Sequence, residues 1–267
     1  MASPDRLKAA ALAPRYGIAG KLRAGFRLFI VLLWIGVCLP FQIVFRALRL
    51  PARFYFPHLF HIIVVKVLLG IKIEVHGTIS KAKPTFFLSN HLSYADIPVI
   101  SAVMPASFVS RAEVSGWPLL GLLAKLQDTV FVDRRQRSKI KDQNNSLMDF
   151  LKGGHNLVLF PEGTSTDGRQ IVPFKSALLQ SVFELGKDIV IQPMTIACLN
   201  SDGSQHLYPW YGDMDFPEHV IPFLEVPRFT MRITFHPTLS ARRFEDRKAL
   251  ADFAYNEVIK APFGVKG

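Results

Sequence analysis

The sequence predicts an α/β protein preceded by an apolar helical segment. Beyond Gly70, short apolar runs bounded by turn residues alternate with longer stretches of helical periodicity. That pattern builds one sheet with flanking helices. By contrast, Leu28 to Phe45 carries no charged residue. As a helix it would be about 27 Å long at 1.5 Å per residue, close to a bilayer core. The 267 residues therefore divide into a basic, membrane-anchoring segment over 1–69 and one domain over 70–267, large enough to fold without staples.

Residues 1–27 are basic, with Arg6, Lys8, Arg15, Lys21, Arg23 and Arg27, and Arg46, Arg49 and Arg53 follow the apolar run. The run is too long for a signal peptide and no small-residue cleavage site follows it. A single span prefers positive charge on one side, and here both ends are basic. A second apolar stretch, Leu59 to Leu69, comes after Pro51 and Pro57 and is charged only at Lys66. The pair reads as a helical hairpin dipping into the cytoplasmic leaflet, its arginines meeting anionic headgroups, with a single span as the alternative.

In the domain, Ile71–Val75 and Thr85–Leu88 read as strands and Ile97–Val103 as a short helix ended by Pro105. Ser107–Ser110 is a strand, and Glu113–Leu126 a helix started or kinked by Pro118. Val130–Val132 is a strand. Ser138–Leu151 is a helix with Ile140, Leu147, Phe150 and Leu151 on one face, closed by Gly153-Gly154. Asn156–Phe160 is a buried strand, Phe174–Leu185 a helix and Ile189–Ala197 a strand. Leu199–Pro227 is loop-rich, Phe229–Phe235 a late strand and Phe244–Ile259 a closing amphipathic helix.

The net charge of +11 suits an anionic membrane face or an acidic carrier protein. A nucleic-acid partner is the poorer choice and is not expected, given the positive mean hydropathy and the lack of any recognised nucleic-acid module. With Cys38 and Cys198 as the two cysteines, a disulfide framework is not expected and a reducing compartment is favoured. No Cys/His cluster has zinc-site spacing, so no metal is expected.

The chemistry gathers on Ser89-Asn90-His91-Leu92-Ser93-Tyr94-Ala95-Asp96. This is a turn from the strand Thr85–Leu88 into a helix with Asp96 at its cap and Pro98 in its first turn. The spacing lets the Asp96 carboxylate fold back on the His91 imidazole, hold one ring nitrogen as N–H and leave the other free to take a hydroxyl proton. That is two thirds of the Ser-His-Asp logic, with the nucleophilic oxygen supplied by the substrate. A loop histidine beside a plain helix cap explains the same residues equally well.

Phe160-Pro161-Glu162-Gly163-Thr164 lies downstream. Together with Asn90-His91 and Asp96 it resembles the glycerolipid acyltransferase family, whose members acylate lysophosphatidate and related lysolipids. Phe131-Val132-Asp133-Arg134 resembles the family's second motif and Val190-Ile191-Gln192-Pro193 its fourth, in the right order. The likeness runs from Ile71 to Thr195 and implies a glycerolipid-acyltransferase-like sheet with flanking helices. It implies His91 as the catalytic base and Asp96 as its partner. Arg134, Glu162, Gly163, Thr164 and Ser165 fall at the acceptor, and Lys175 either joins them or faces solvent. Asn90, Arg111 and Pro193 support the motifs.

The resemblance implies a membrane-bound lysolipid O-acyltransferase at the cytoplasmic membrane, its catalytic domain on the cytoplasmic side. The donor is an acyl thioester on acyl carrier protein or coenzyme A, and no cofactor is needed. Lysophosphatidate acyltransferases usually follow Glu-Gly-Thr with Arg; here Ser165-Thr166-Asp167 follows. With Trp210-Tyr211-Gly212-Asp213 downstream, this looks more like the bacterial lyso-ornithine lipid branch, with lysophosphatidate as the alternative acceptor. Other classes are a thioester hydrolase, against which the missing Gly-x-Ser-x-Gly elbow counts, and a non-enzymatic membrane tether.

Overall fold

The computed structural model describes residues 16–133, 140–180, 183 and 189–263. In chain order its strands are β1 (Lys72–His76), β2 (Thr85–Ser89), β3 (Ser107–Arg111), β4 (Val130–Val132), β5 (Leu157–Leu159), β6 (Val190–Cys198), β7 (Thr230–Phe235) and β8 (Leu239–Ser240). Its α-helices are α1 (Gly17–Ala47), α2 (Ala52–Ile62), α3 (Asp96–Ser101), α4 (Leu120–Leu126), α5 (Ile140–Lys152), α6 (Phe216–Glu225) and α7 (Arg247–Val258). The strands form one sheet in the order β1-β7-β6-β2-β5-β3-β4, with β8 pairing β6. β2 lies between β6 and β5, parallel to both, and β3 and β4 continue that parallel half. β7 and β8 run antiparallel to β6.

The apolar run of β2 is buried at every residue, as a strand covered on both faces requires. Its period of two divides the core. Phe87 packs with Phe108, Val158, Met194 and Ile196 under α3 and α6. Phe86 and Leu88 point the other way, among Leu157, Leu159 and Ile191 and against α5 and α7. Each such side chain contributes about 1.5–3 kcal/mol on burial. The result is a three-layer α/β/α sandwich, as expected of the alternating pattern, with loops gathered at the carboxyl ends of the parallel strands.

Pro193 sits inside β6, where a missing N–H would ordinarily break a ladder. Here β6 changes neighbour: Val190 and Ile191 pair with β8, and Met194 to Cys198 pair with β7. Gln192 fills the gap, its Nε2 donating to the carbonyls of Thr78 and His236 and its Oε1 accepting from the Ser80 N–H. The fourth motif thus shapes a strand junction.

Several elements differ from expectation for identifiable reasons. The helix expected over Glu113–Leu126 is split into a 3-10 turn, Ala112–Gly116, and α4. Pro118 disfavours helical backbone before it, and Leu119 takes φ 55°. In Phe174–Leu185 a 3-10 turn, Ala177–Leu179, leads into helical residues at Gln180 and Phe183, later than expected, and the rest of the expected helix lies outside the described residues. The closing helix begins at Arg247, because Asp246 accepts from the Lys248 and Ala249 N–H groups as its N-cap. The stretch read as loop contains α6, whose Pro217 falls in the first turn, where a missing N–H costs nothing.

The N-terminal hairpin is present as α1, a turn at Leu48–Pro51 and α2, continued by a π-helical stretch, Ile63–Leu68. Phe56 meets Phe41 and Phe45 across the pair, and Trp34 stacks on Phe60. Pro57 cannot donate to the Arg53 carbonyl one turn back, and buried Gln42 does so instead at 2.9 Å while also donating to Leu126 O at 2.6 Å. Both ends of α1 are tied to the body. Arg23 and Arg27 donate to carbonyls over Leu224–Pro227, and Arg46 pairs with Asp128. These arginines, expected at headgroups, hold the helix to the domain instead, while Arg49 is exposed. The outward face of α1 is an apolar stripe that includes Leu22, Phe26, Phe29, Leu33, Val37 and Phe41.

Candidate active site

β2 delivers its last residues to the carboxyl edge of the sheet. Asn90 extends the ladder with its side chain: Nδ2 donates to Ile196 O at 2.9 Å and Oδ1 accepts from Ile196 N–H at 2.8 Å. The β6 edge is thereby satisfied while the main chain turns away. His91 follows on the turn and Asp96 opens α3.

Asp96 is fully buried. Its Oδ2 faces the His91 Nδ1 at 2.8 Å and also accepts from the backbone N–H groups of Leu92 at 2.7 Å and Ser93 at 3.0 Å. Its Oδ1 accepts from the Tyr208 hydroxyl at 3.0 Å. The carboxylate is thus turned back on the loop that carries His91, and the N-cap position of α3 belongs to Ala95, which makes no side-chain cap bond. Of the two sequence readings, geometry supports the paired histidine over the plain cap.

The imidazole is held on three sides. Its plane lies on the Phe160 ring, centroids 4.1 Å apart and 16° between planes. Its main-chain N–H donates to Glu162 Oε1 at 2.6 Å, and its carbonyl accepts from Thr166 N–H at 2.9 Å. The side chain stays 22% exposed, and Nε2 has no partner among the described residues. A fixed Nδ1 with an open Nε2 is the arrangement of a general base.

The Phe160–Ser165 block turns sharply after β5, with Gly163 at φ 78°. Glu162, expected at the acceptor, is turned inward: it is fully buried, and its Oε2 accepts from the Val172 N–H at 2.7 Å. Burial pushes its carboxyl up to about 7; the two N–H donors limit the rise and nearby Asp96 adds to it. Thr164 is exposed beside it. The Ser165 hydroxyl donates to the Trp210 carbonyl. Lys175 is exposed, although its N–H donates to Pro161 O at 2.9 Å. Arg111 is exposed at the end of β3, and Arg134 lies outside the described residues, just past β4.

The segment Tyr208–Trp210 closes this site from the far side, a place that sequence reasoning did not give it. Besides Tyr208, the Trp210 N–H donates to Leu92 O at 2.9 Å, and the rings of Tyr94 and Trp117 stand edge-on to the Trp210 ring. The Trp210-Tyr211 pair was visible as aromatic residues in a loop. Nothing near Tyr208 marks it, because its partner is 112 positions away.

Glu162 carries a pH signature. A carboxyl near 7 in the folded chain and near 4.5 when unfolded adds stability that is complete below 4.5 and lost as pH rises through 7. Urea midpoints of the wild type should therefore fall between pH 4.5 and 7, by roughly 2–4 kcal/mol in unfolding free energy. Glu162→Gln should lack that decline; parallel curves for the two proteins would rule it out.

A family model described as Acyltransferase matches residues 72–197. A lyso-ornithine lipid O-acyltransferase of Brucella abortus is 35% identical over 231 residues, covering 82% of this chain and 86% of that protein. A 1-acyl-sn-glycerol-3-phosphate acyltransferase of Neisseria meningitidis is 32% identical over 164 residues, covering 61% of this chain and 64% of that protein. The crystal structure of the 1-acyl-sn-glycerophosphate (LPA) acyltransferase of Thermotoga maritima superposes with a TM-score of 0.70 at 21% identity, covering 94% of this chain and 100% of that one. With the same fold and relatives matched over most of their length, the chain belongs to the lysolipid acyltransferase family and is an acyltransferase.

Proposed function

We propose that the protein transfers a fatty acyl group from an acyl thioester, on acyl carrier protein or coenzyme A, to the hydroxyl of a lysolipid. The observation that carries this reading is the buried Asp96 carboxylate on His91 Nδ1 with Nε2 left open. His91 Nε2 takes the acceptor hydroxyl proton as the oxygen bonds to the thioester carbonyl carbon. Asp96 stabilises the imidazolium so formed. The tetrahedral adduct then collapses, the carbon–sulfur bond breaks and the thiolate leaves with the proton from His91. The acceptor is itself the nucleophile, so no acyl-enzyme forms. Gly163 and exposed Thr164 line the acceptor side, with Arg134 and Lys175 as the cations assigned to the acceptor headgroup.

His91→Ala should lower turnover at least about 10²-fold, the usual loss for a general base. Asp96→Asn should also be severe, since an amide cannot stabilise an imidazolium as an anion does. Near-wild-type turnover by a folded His91→Ala protein, measured with a labelled thioester, would falsify the assignment. Running the same assay with and without lysolipid separates transfer from hydrolysis.

The hairpin is the membrane anchor in this reading. Both ends of α1 are bound to the body, so the outward stripe lies along the bilayer surface, in one leaflet, and the lysolipid reaches the site without leaving it. The protein sits on the cytoplasmic face, where the thioester is available. Phe29→Asp with Leu33→Asp should move the chain from the vesicle fraction to the supernatant in flotation without changing its circular dichroism; unchanged flotation would refute this anchor.

The acceptor favoured is lyso-ornithine lipid. The relative of that activity is matched over 86% of its length, the glycerophosphate one over 64%. Position 165 also carries a hydroxyl bound to a carbonyl rather than a cation for a phosphate monoester. Lysophosphatidate is the second acceptor, supported by the Neisseria relative. Assayed side by side, lyso-ornithine lipid should be acylated at least as well as lysophosphatidate. Strong activity on lysophosphatidate with none on lyso-ornithine lipid would overturn this choice and leave the family standing.

A further inference from the structure

We infer that Tyr208 is a positioning residue for acyl transfer, fixing the Asp96 carboxylate that backs His91. This rests on the reading of His91 as the base. Tyr208 is fully buried. Its ring is wedged against Phe229 and Phe223, at centroid distances of 5.4 and 5.9 Å, so packing sets where the hydroxyl lies. That hydroxyl donates to Asp96 Oδ1 at 3.0 Å. The other carboxylate oxygen faces His91. A carboxylate turns about its Cβ–Cγ bond, and fixing one oxygen fixes the direction of the other. Burial holds the phenol proton on well above its usual range, with the Asp96 charge adding to the effect, so Tyr208 stays a donor throughout any assay range. It also spreads the Asp96 charge and so tempers how strongly the imidazolium is favoured. The His91–Asp96 turn and the Phe160–Thr164 block sit on the loops after β2 and β5; Tyr208 comes from the segment after β6, which thus becomes part of the catalytic apparatus.

A satisfied core tyrosine is the alternative, and it predicts something different. Loss of a structural bond lowers stability but leaves turnover per folded molecule and its pH dependence unchanged. The test is Tyr208→Phe in the full-length, detergent-solubilised protein, with turnover normalised to the folded fraction. We expect kcat to fall roughly 10-fold with the acceptor KM within about twofold. The acidic limb of kcat against pH should move upward by about half a unit or more, because an Asp96 charge no longer shared keeps the imidazolium protonated to higher pH. Wild-type kcat with an unmoved limb overturns the inference. If Tyr208→Phe does not fold, 3,5-difluorotyrosine at 208 keeps the shape and strengthens the donor; the limb should then move downward, and an unmoved limb again overturns the inference. Turnover retained by His91→Ala would remove the reading beneath it, whereas an inert His91→Ala beside a wild-type Tyr208→Phe would remove this inference alone.

Discussion

The buried carboxylate of Asp96 is the constraint on which this site depends. An ionised carboxylate taken wholly out of water costs several kcal/mol unless donors surround it. Asp96 has four: the His91 ring, two successive backbone N–H groups and the Tyr208 hydroxyl. Three of them lie on the His91–Ser93 turn, so satisfying the charge also fixes that turn. The price of burying this anion is therefore what aims the imidazole. Glu162 works on the opposite side, where a second buried carboxyl takes the His91 and Val172 N–H groups. Two acidic side chains thus hold one histidine, one through its ring and one through its main chain.

This divides the motif residues by role. Asn90 closes the ladder with β6, Phe160 supports the imidazole face and Glu162 clamps the backbone. Each is turned into the protein, although each belongs to a motif read as catalytic or acceptor-binding. Thr164 and the open edge of His91 face outward. A short motif around a reactive group is in large part the scaffold that sets its geometry, because a base misplaced by an ångström loses much of its effect.

The sheet was largely legible from sequence because its strands are short, apolar and bounded by turn residues. β2, with every residue buried, could hardly read otherwise. Failures came where backbone chemistry is decided by partners far away. The helix is split at Pro118, which disfavours helical backbone before it, and α6 forms among prolines because Pro217 falls in its first turn. In the hairpin, Gln42 rescues the carbonyl that Pro57 abandons. At the site, His91, Asp96 and Glu162 lie on recognisable local patterns. Tyr208 does not, since a buried tyrosine looks like any other until the fold brings it to a carboxylate.

The hairpin arginines show the same dependence on distant partners. From sequence they read as headgroup ligands, because basic residues flank an apolar run. In the fold, Arg23 and Arg27 are taken up by the carbonyls over Leu224–Pro227, the end of α6 and the chain just beyond it, and Arg46 is taken up by Asp128 beyond α4. Cations at a helix C-terminus satisfy carbonyls that have no partner in the helix. α6 also supplies Phe223, which packs on Tyr208 and Tyr94. The same helix therefore contacts the N-terminal hairpin through its C-terminal carbonyls and, through Phe223, the tyrosine that binds Asp96. One helix thus couples the placement of the hairpin to the packing around Tyr208 and Asp96.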